Sequence, residues 1–440
     1  MGERRKKRIY ERNIYYTVLK YYVGFFYRLS YGKREYYGIE KLPSDGALIF
    51  ASNHTNGLMD ALAVLDLDNR PKVFVARSDI FKKPLLARLF FFLRIMPINR
   101  IRDGRNTLKY NDEIIKRSAE VLKNDVPFVI LPEGTHRPMH SLLPLGKGIF
   151  RIALLANEEI AGEKPVYIVP MGLEYGSFFR YRSSLLLQIG DPINVTQYVA
   201  SHPRAEEQPV IMNDLKEKLQ KTMKELILYI PDDTHYDATW ELCNMSCYRR
   251  ITQLKLNYNC LRDRLTANKQ TVRKILEKRE SDPRESEKML KEISLFANER
   301  IKRRISMASV ANPRLGLFLF FRIFLLITLF PYFIACTALS APTLFVSHLI
   351  CLKTEDRAFH NSVRYVALLL LWTLSLLIII SVLFGFVKWK FALAAVIVFL
   401  PAPLFFYQYY KWFRITRSDI RWLLSKDLRK ARERFVRWIL

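Results

Sequence analysis

The sequence predicts an α/β protein: a mixed sheet flanked by helices, with helical arms, followed by an all-α transmembrane region. Three observations lead there. Short apolar runs of strand length alternate with helix-patterned stretches through residues 36–230, the pattern of a sheet covered by helices. A charged, helix-patterned stretch follows at residues 238–309, interrupted near Ser281, Asp282 and Pro283. The composition then turns apolar: residues 365–387 are long enough to cross a bilayer, which takes ~20 helical residues. The chain therefore divides into an interfacial helix (1–35), an α/β domain (36–230), charged helical arms (231–312), transmembrane helices making two to four crossings (313–410) and a basic amphipathic tail (411–440).

Each element has its own signal. Residues 4–8 (RRKKR) are a basic run, and residues 9–29 are aromatic-rich but broken by Arg12, Lys20 and Arg28. That suits a helix lying at headgroup depth, with rings buried and cations reaching phosphates. Residues 36–51 supply an entry strand, a turn at Pro43, Ser44, Asp45 and Gly46, and an apolar strand. Further strands are expected at 72–77 (KVFVAR), 95–100 (IMPINR) and 127–131 (PFVIL), with closing strands at 166–175 and 185–189. Helices are expected just after Asp60, at 84–93 with Phe90, Phe91 and Phe92 in a row, at 104–123 and at 213–229. Residues 315–352 are apolar apart from Arg322 and His348, with Pro331 and Pro342 inside; residues 391–410 are a further span interrupted by Pro401 and Pro403. The last 30 residues hold ten Lys/Arg against three Asp/Glu, interleaved with Trp412, Trp422, Leu423, Leu424, Phe435 and Trp438. Such a tail is expected to lie on an anionic leaflet.

Composition bounds the partners. The formal net charge of +28 calls for an anionic partner, either nucleic acid or an acidic membrane surface. The cations cluster at the N-terminus, in the arms and beside the apolar spans, and RNA-binding motifs are absent. Anionic membrane lipid is therefore expected and nucleic acid is not; a basic membrane scaffold or nucleic-acid-binding protein is the non-enzyme alternative. Five cysteines, two of them in membrane-like sequence, do not form a disulfide framework. Cys243 and Cys247 lie one helical turn apart without a second pair at zinc spacing, so no metal site is expected. The basic start is not followed by the apolar core of a signal peptide, and MGERRK lacks the residue expected for myristoylation.

The stretch that carries chemistry is residues 47–60, ALIFASNHTNGLMD. A buried strand ends in polar residues and delivers His54 to the open end of the sheet, where ligands bind. A histidine held by a carboxylate makes a general base, because the carboxylate fixes the tautomer and stabilises the imidazolium. Asp60 is the carboxylate available. Six residues on a regular helix turn through about 240°, so the pair must span a loop before a helix starts. Gly57 tolerates the positive φ such a loop needs.

NHTNGLMD, followed by LPEGTHRP at residues 131–138, resembles the glycerolipid acyltransferase superfamily, whose signatures are N-H-x-x-x-x-D and F-P-E-G-T-R in that order. The likeness covers residues 36–200. Here five residues rather than four separate His54 from Asp60, and Met59 stands in the usual place of the aspartate. The pattern H-x-N-x-x-[VM]-D resembles the branch acting on glycerol 3-phosphate and dihydroxyacetone phosphate. The resemblance implies His54 and Asp60 as catalytic residues, with Asn53, Arg100, Glu133, Gly134, Thr135, Arg137 and Lys147 binding substrate. Arg100 is expected to hold the acceptor phosphate with its planar fork. Arg94 stands where the family usually has Gly, and His136 intervenes before Arg137, as a positional filler or, in the other reading, a second titrating group. Val169, Pro170 and Met171 resemble the motif on the acyl side of the cleft, with a plain buried strand as the other reading.

The reaction expected is O-acylation of glycerol 3-phosphate or dihydroxyacetone phosphate in phospholipid biosynthesis, with 1-acylglycerol 3-phosphate as the alternative acceptor. No cofactor is expected; the acyl donor (acyl-CoA, acyl carrier protein or acyl phosphate) is a co-substrate. No G-x-S-x-G elbow is present, so direct attack in a ternary complex is the simplest scheme. A catalytic domain and a basic tail both on the cytoplasmic face require an even number of crossings.

Overall fold

The computed structural model describes residues 8–98, 108–160, 162–202, 208–311 and 315–440. The chain forms two compact units: Met1–Ile227 with Asp356–Tyr365, and Leu228–Glu355 with Val366–Leu440. The α/β unit therefore draws one segment from far beyond residue 230, which no local sequence signal announces.

In the α/β unit, helix α1 (Ile14–Leu29) starts at Asn13, whose side chain accepts from the Tyr15 and Tyr16 amides. It is followed by β1 (Tyr31–Tyr37), β2 (Ala47–Ser52), α2 (Leu58–Leu65), β3 (Val73–Arg77), α3 (Pro84–Phe92) and β4 (Ile95–Ile98). Then come α4 (Leu108–Lys123), β5 (Phe128–Ile130), α5 (Gly148–Ile160), β6 (Val166–Tyr175), β7 (Ser183–Ile189), β8 (Ile193–Asn194), α6 (Val195–Ala200) and α7 (Gln208–Leu226). β1 begins inside the stretch read as the interfacial helix, because Tyr31 pairs with Ser183.

The sheet order is β1-β7-β6-β2-β5-β3-β4, with β8 beside β6. All pairs are parallel except β6 with β7 and with β8, so the sheet is mixed. The expected closing strands β6 and β7 lie inside the sheet rather than at its edge, because β1 caps β7. β2 is buried along its whole length, as a parallel strand covered on both faces must be. Its neighbours β5 and β6 run parallel to it, with Ile49 opposite Phe128 on one side and Ile168 on the other. The carboxyl ends of three adjacent strands thus open on one sheet edge, and His54, Glu133 and Tyr175 all come from those ends.

Arg94 has φ 60°, a left-handed conformation that explains why a glycine suits this position. Its buried guanidinium donates to the Glu11 carbonyl at 2.7 Å and lies 4.7 Å from the Tyr16 ring centroid. It ties the N-terminal segment to the α/β unit.

The second unit is helical. Helices α8 (Tyr236–Gln253), α9 (Leu261–Ser281), α10 (Pro283–Lys302) and α11 (Met307–Ala311) are the arms; α12 (Leu315–Thr328), α13 (Phe330–Lys353), α14 (Phe359–Ala367), α15 (Thr373–Phe386), α16 (Trp389–Phe399), α17 (Ala402–Leu424) and α18 (Lys426–Ile439) complete the chain. α14 begins in the segment that belongs to the α/β unit and joins α15 through a π-helical turn, Leu368–Trp372. Among the described residues three stretches are long and apolar enough to cross a membrane: Phe330–Lys353, Phe359–Phe386 and Trp389–Leu424; Phe318–Thr328 is a shorter apolar helix.

Two expectations are corrected here. The last helix does not present its apolar stripe outward: Leu428, Phe435, Val436 and Ile439 are buried in a core with Leu242, Leu290, Ile293 and Phe296 of the arms, while Leu423 and Leu424 at the end of α17 stay exposed. Ion pairs tie the last helix to the arms in both directions: the tail's Arg434 meets Glu292, while Arg249 and Arg303 of the arms meet the tail's Glu433 and Asp427. The boundary drawn at residue 410 also falls inside α17, a single helix. Arg322, a charge in an apolar run, meets buried Asp419 at 2.6 Å, which removes the cost of an unpaired ion.

Candidate active site

His54 leaves the sheet two residues past β2. Asn53, just before it, is buried, and its amide group bonds the backbone of Leu173 in β6 twice, donating at 3.0 Å and accepting at 2.7 Å. Both ends of this amide are committed to the sheet, so Asn53 is an anchor and not a substrate ligand as the sequence had suggested. The turn then passes Gly57, whose φ of 54° and ψ of −125° belong to glycine, and enters α2. Met59 points into the core and is fully buried, while Asp60 in the first helical turn faces back toward His54. The extra residue of the His–Asp spacing is taken up in this turn.

Asp60 is fully buried and fully bonded. Its Oδ2 accepts from His54 Nδ1 at 2.8 Å and from the Thr55 and Asn56 amides at 2.8 and 2.7 Å. Its Oδ1 accepts from the Tyr175 hydroxyl at 2.7 Å. Four donors to one buried carboxylate satisfy both oxygens and fix it in place. With Asp60 on Nδ1, the His54 tautomer leaves Nε2 as the acceptor for an incoming hydroxyl. The His54 side chain remains partly exposed.

Tyr175 escaped the sequence reading because it reads only as one more aromatic in a buried strand. It packs against Tyr31, which packs against Tyr27, with ring centroids 6.1 and 5.3 Å apart. Burial pushes the phenol well above its ordinary range, and the Asp60 charge adds to this, so Tyr175 stays a proton donor.

Glu133 acts inward as well. One carboxylate oxygen accepts from the His54 amide at 2.7 Å and the other from the Leu143 amide at 2.8 Å. It staples the PEGT turn to the His54 turn instead of lining the acceptor site. Burial raises its carboxyl to about 7, against the lowering effect of those two amides. The Arg137 amide donates to the His54 carbonyl at 3.1 Å, and its guanidinium to Ser141 Oγ at 2.5 Å. Gly134 has φ 66° and, like Thr135 and Lys147, is exposed. Arg100 lies outside the described residues. The His136 ring stands edge-on to that of His54, with centroids 5.3 Å apart. Among the described residues no group of three or more His, Cys, Asp or Glu side chains could hold a metal.

Residues 33–174 match the family model described as Acyltransferase. A chloroplastic 1-acyl-sn-glycerol-3-phosphate acyltransferase of Brassica napus is 28% identical over 145 residues, 33% of this chain and 40% of that protein. The stretch that matches the family model lies within the α/β unit and includes the His54 and Glu133 turns. A chloroplastic enzyme of the same name from Arabidopsis thaliana is 24% identical over 220 residues, 49% of this chain and 55% of its own. One from Cocos nucifera is 30% identical over 156 residues, covering 35% and 46%. The chain thus spans about half the length of these acyltransferases. The crystal structure of the 1-acyl-sn-glycerophosphate acyltransferase PlsC from Thermotoga maritima aligns over 49% of this chain and 83% of that one, at 20% identity and a TM-score of 0.34.

Proposed function

We propose that this chain is a membrane-bound O-acyltransferase of phospholipid biosynthesis that acylates 1-acylglycerol 3-phosphate to phosphatidate. The observation that carries it is the dyad: His54 is held through Nδ1 by a buried, four-donor carboxylate, and Nε2 is left to work. The acceptor hydroxyl gives its proton to Nε2 as its oxygen attacks the acyl carbonyl. The bond from acyl carbon to the donor's leaving group breaks, and the leaving thiolate or phosphate takes the proton back from His54. Ester and free carrier result, and no acyl-enzyme is needed. A general base in this position is typically worth ~10²–10⁴-fold.

The acceptor is chosen from the names of the similar proteins, all 1-acyl-sn-glycerol-3-phosphate acyltransferases. Glycerol 3-phosphate or dihydroxyacetone phosphate is the second reading, favoured by the five residues between His54 and Asp60. Acyl-CoA, acyl carrier protein or acyl phosphate supplies the acyl group. Arg137 and Lys147 are the described cations assigned to the acceptor phosphate, with Arg100. The catalytic unit is assigned to the cytoplasmic face; three long apolar helices with the shorter Phe318–Thr328 as a fourth would give the even number of crossings this needs.

The test is ester formation by the purified full chain in detergent, with acyl-CoA and each radiolabelled acceptor in turn. Phosphatidate formed from the lyso acceptor, and lost in His54→Ala and Asp60→Ala, supports the reading. Product from glycerol 3-phosphate alone shifts it to the second acceptor. No ester from any acceptor rejects it.

A further inference from the structure

The segment Asp356–Tyr365 lies far outside the acyltransferase match, yet it is part of the α/β unit. Its attachments there are specific. Arg364 donates to the Phe179 carbonyl at 2.6 Å, and the Tyr365 hydroxyl to the Val23 carbonyl at 3.0 Å. Phe359 lies against the catalytic turn: a Cβ added at Gly57 would sit 3.2 Å from its ring and 3.6 Å from Ser362 Oγ. The space beside Gly57 is therefore filled by this segment, and a side chain at position 57 would press on the Phe359 ring.

At the head of the segment, Asp356 Oδ2 meets His136 Nε2 at 2.6 Å, while Oδ1 accepts from the Ala358 amide at 2.8 Å. Asp356 is thus anchored by its own backbone before it reaches His136. The His136 ring stands edge-on between Phe359, with centroids 4.7 Å apart, and His54, at 5.3 Å. Two histidines in edge contact are each held by a carboxylate: His54 by Asp60 and His136 by Asp356. An aspartate on Nε2 keeps the proton there in the neutral ring and fixes the ring's orientation. The side chains of Thr55, Asn56 and Ser362 on either side of this seam are buried and hold polar atoms with no partner among the described residues.

We propose that Asp356 is a positioning residue of the acyl-transfer site: it fixes the His136 ring, and through that ring the orientation and charge that His54 experiences. This rests on the acyl-transfer reading above. It makes the reacting histidine answer to a segment that runs into the candidate membrane span Phe359–Phe386. The charged and titratable groups that bear on this pair are Asp60 from α2, Glu133 and Arg137 from the turn after β5, and Asp356 and His360 from the segment itself.

Asp356→Asn is the discriminating variant. It keeps the shape and the acceptor for the Ala358 amide, but offers His136 an N–H and removes the charge. Histidine-labelled full chain in detergent is titrated by NMR, and kcat/KM is measured for Asp356→Asn, His136→Gln and the double variant. The expected results are displaced ring signals of both His136 and His54 in Asp356→Asn and a changed pH profile of kcat/KM. Each single variant should lose on the order of tenfold in kcat/KM, the double variant no more than His136→Gln alone, and Asp356→Glu should recover most of it. Unmoved histidine signals in Asp356→Asn, or losses that multiply in the double variant, overturn the proposal. If the wild type forms no ester from any acceptor, the acyl-transfer reading fails, and this proposal fails with it as a statement about catalysis. The titrations then report separately whether Asp356 governs His136.

Discussion

The Tyr175 hydroxyl donates to Asp60 Oδ1 at 2.7 Å across 115 residues of sequence, opposite the oxygen that holds His54. The last residue of one strand thereby sets the orientation of a carboxylate at the start of a helix. Tyr175→Phe keeps the ring packing and removes this donor. A bond to a charged group contributes about 1.5–3 kcal/mol, so kcat should fall roughly tenfold to a hundredfold. KM for both substrates should hardly change. Steady-state kinetics with unaltered circular dichroism check this.

Glu133 makes a pH prediction. Its folded carboxyl is raised to about 7 from an ordinary 4.5. Between those values the folded state binds more protons than the unfolded state. The protonated group's contribution to stability is therefore fully present below about 4.5 and is lost as pH rises through about 7. Thermal midpoints of the wild type should fall across this window more steeply than those of Glu133→Gln. An infrared titration should show a protonated carboxyl band surviving toward neutral pH in the wild type and missing from the variant.

Lys72 is fully buried, with its ammonium 2.6 Å from Asp68 and burial lowering it to about 8. Asp68 keeps two bonds from Arg70, at 2.8 and 3.0 Å, if the lysine is removed. Lys72→Met should therefore be neutral or stabilising at pH 7, as buried ion pairs replaced by apolar side chains often are. The folded lysine binds its proton less well than the unfolded one, so wild-type stability should rise between about pH 8 and 10.5, and Lys72→Met should lack that rise. Thermal denaturation at three pH values decides it.

The tail offers a test of its partner. Phe435 is buried edge-on to Phe296, with centroids 5.8 Å apart. Removing such a side chain costs about 3–5 kcal/mol, and Phe435→Asp adds a buried charge. Limited proteolysis in detergent should open the helical arms in this variant. Wild-type protease resistance combined with lost vesicle binding would instead return the tail to the membrane surface.

The parts of the fold carried by local patterning were legible. β2, β3, β5 and β6 read directly as apolar runs, and the His54 and Glu133 turns follow from their motifs. What the sequence hid was pairing over distance. Asn53 and Glu133 look like substrate ligands when only their neighbours in the chain are seen; their bonds to Leu173 and to the His54 amide depend on which strands are adjacent. β8 is two residues long and carries no periodicity to detect. His136 and Asp356 are 220 residues apart, and nothing in either local sequence points to the other. The tail read as amphipathic, which it is, but amphipathicity names a face and not what covers it.

Asn53 has one more consequence. Its amide takes the role of a further rung of the sheet ladder after the strand has ended, and Asp60 is moored just as firmly at the far side of the turn. The residues between these two moorings are held as well, the His54 amide on Glu133 and the Thr55 and Asn56 amides on Asp60. The turn is thus a closed clasp: lengthening or shortening it would pull at least one of these amides off its carboxylate.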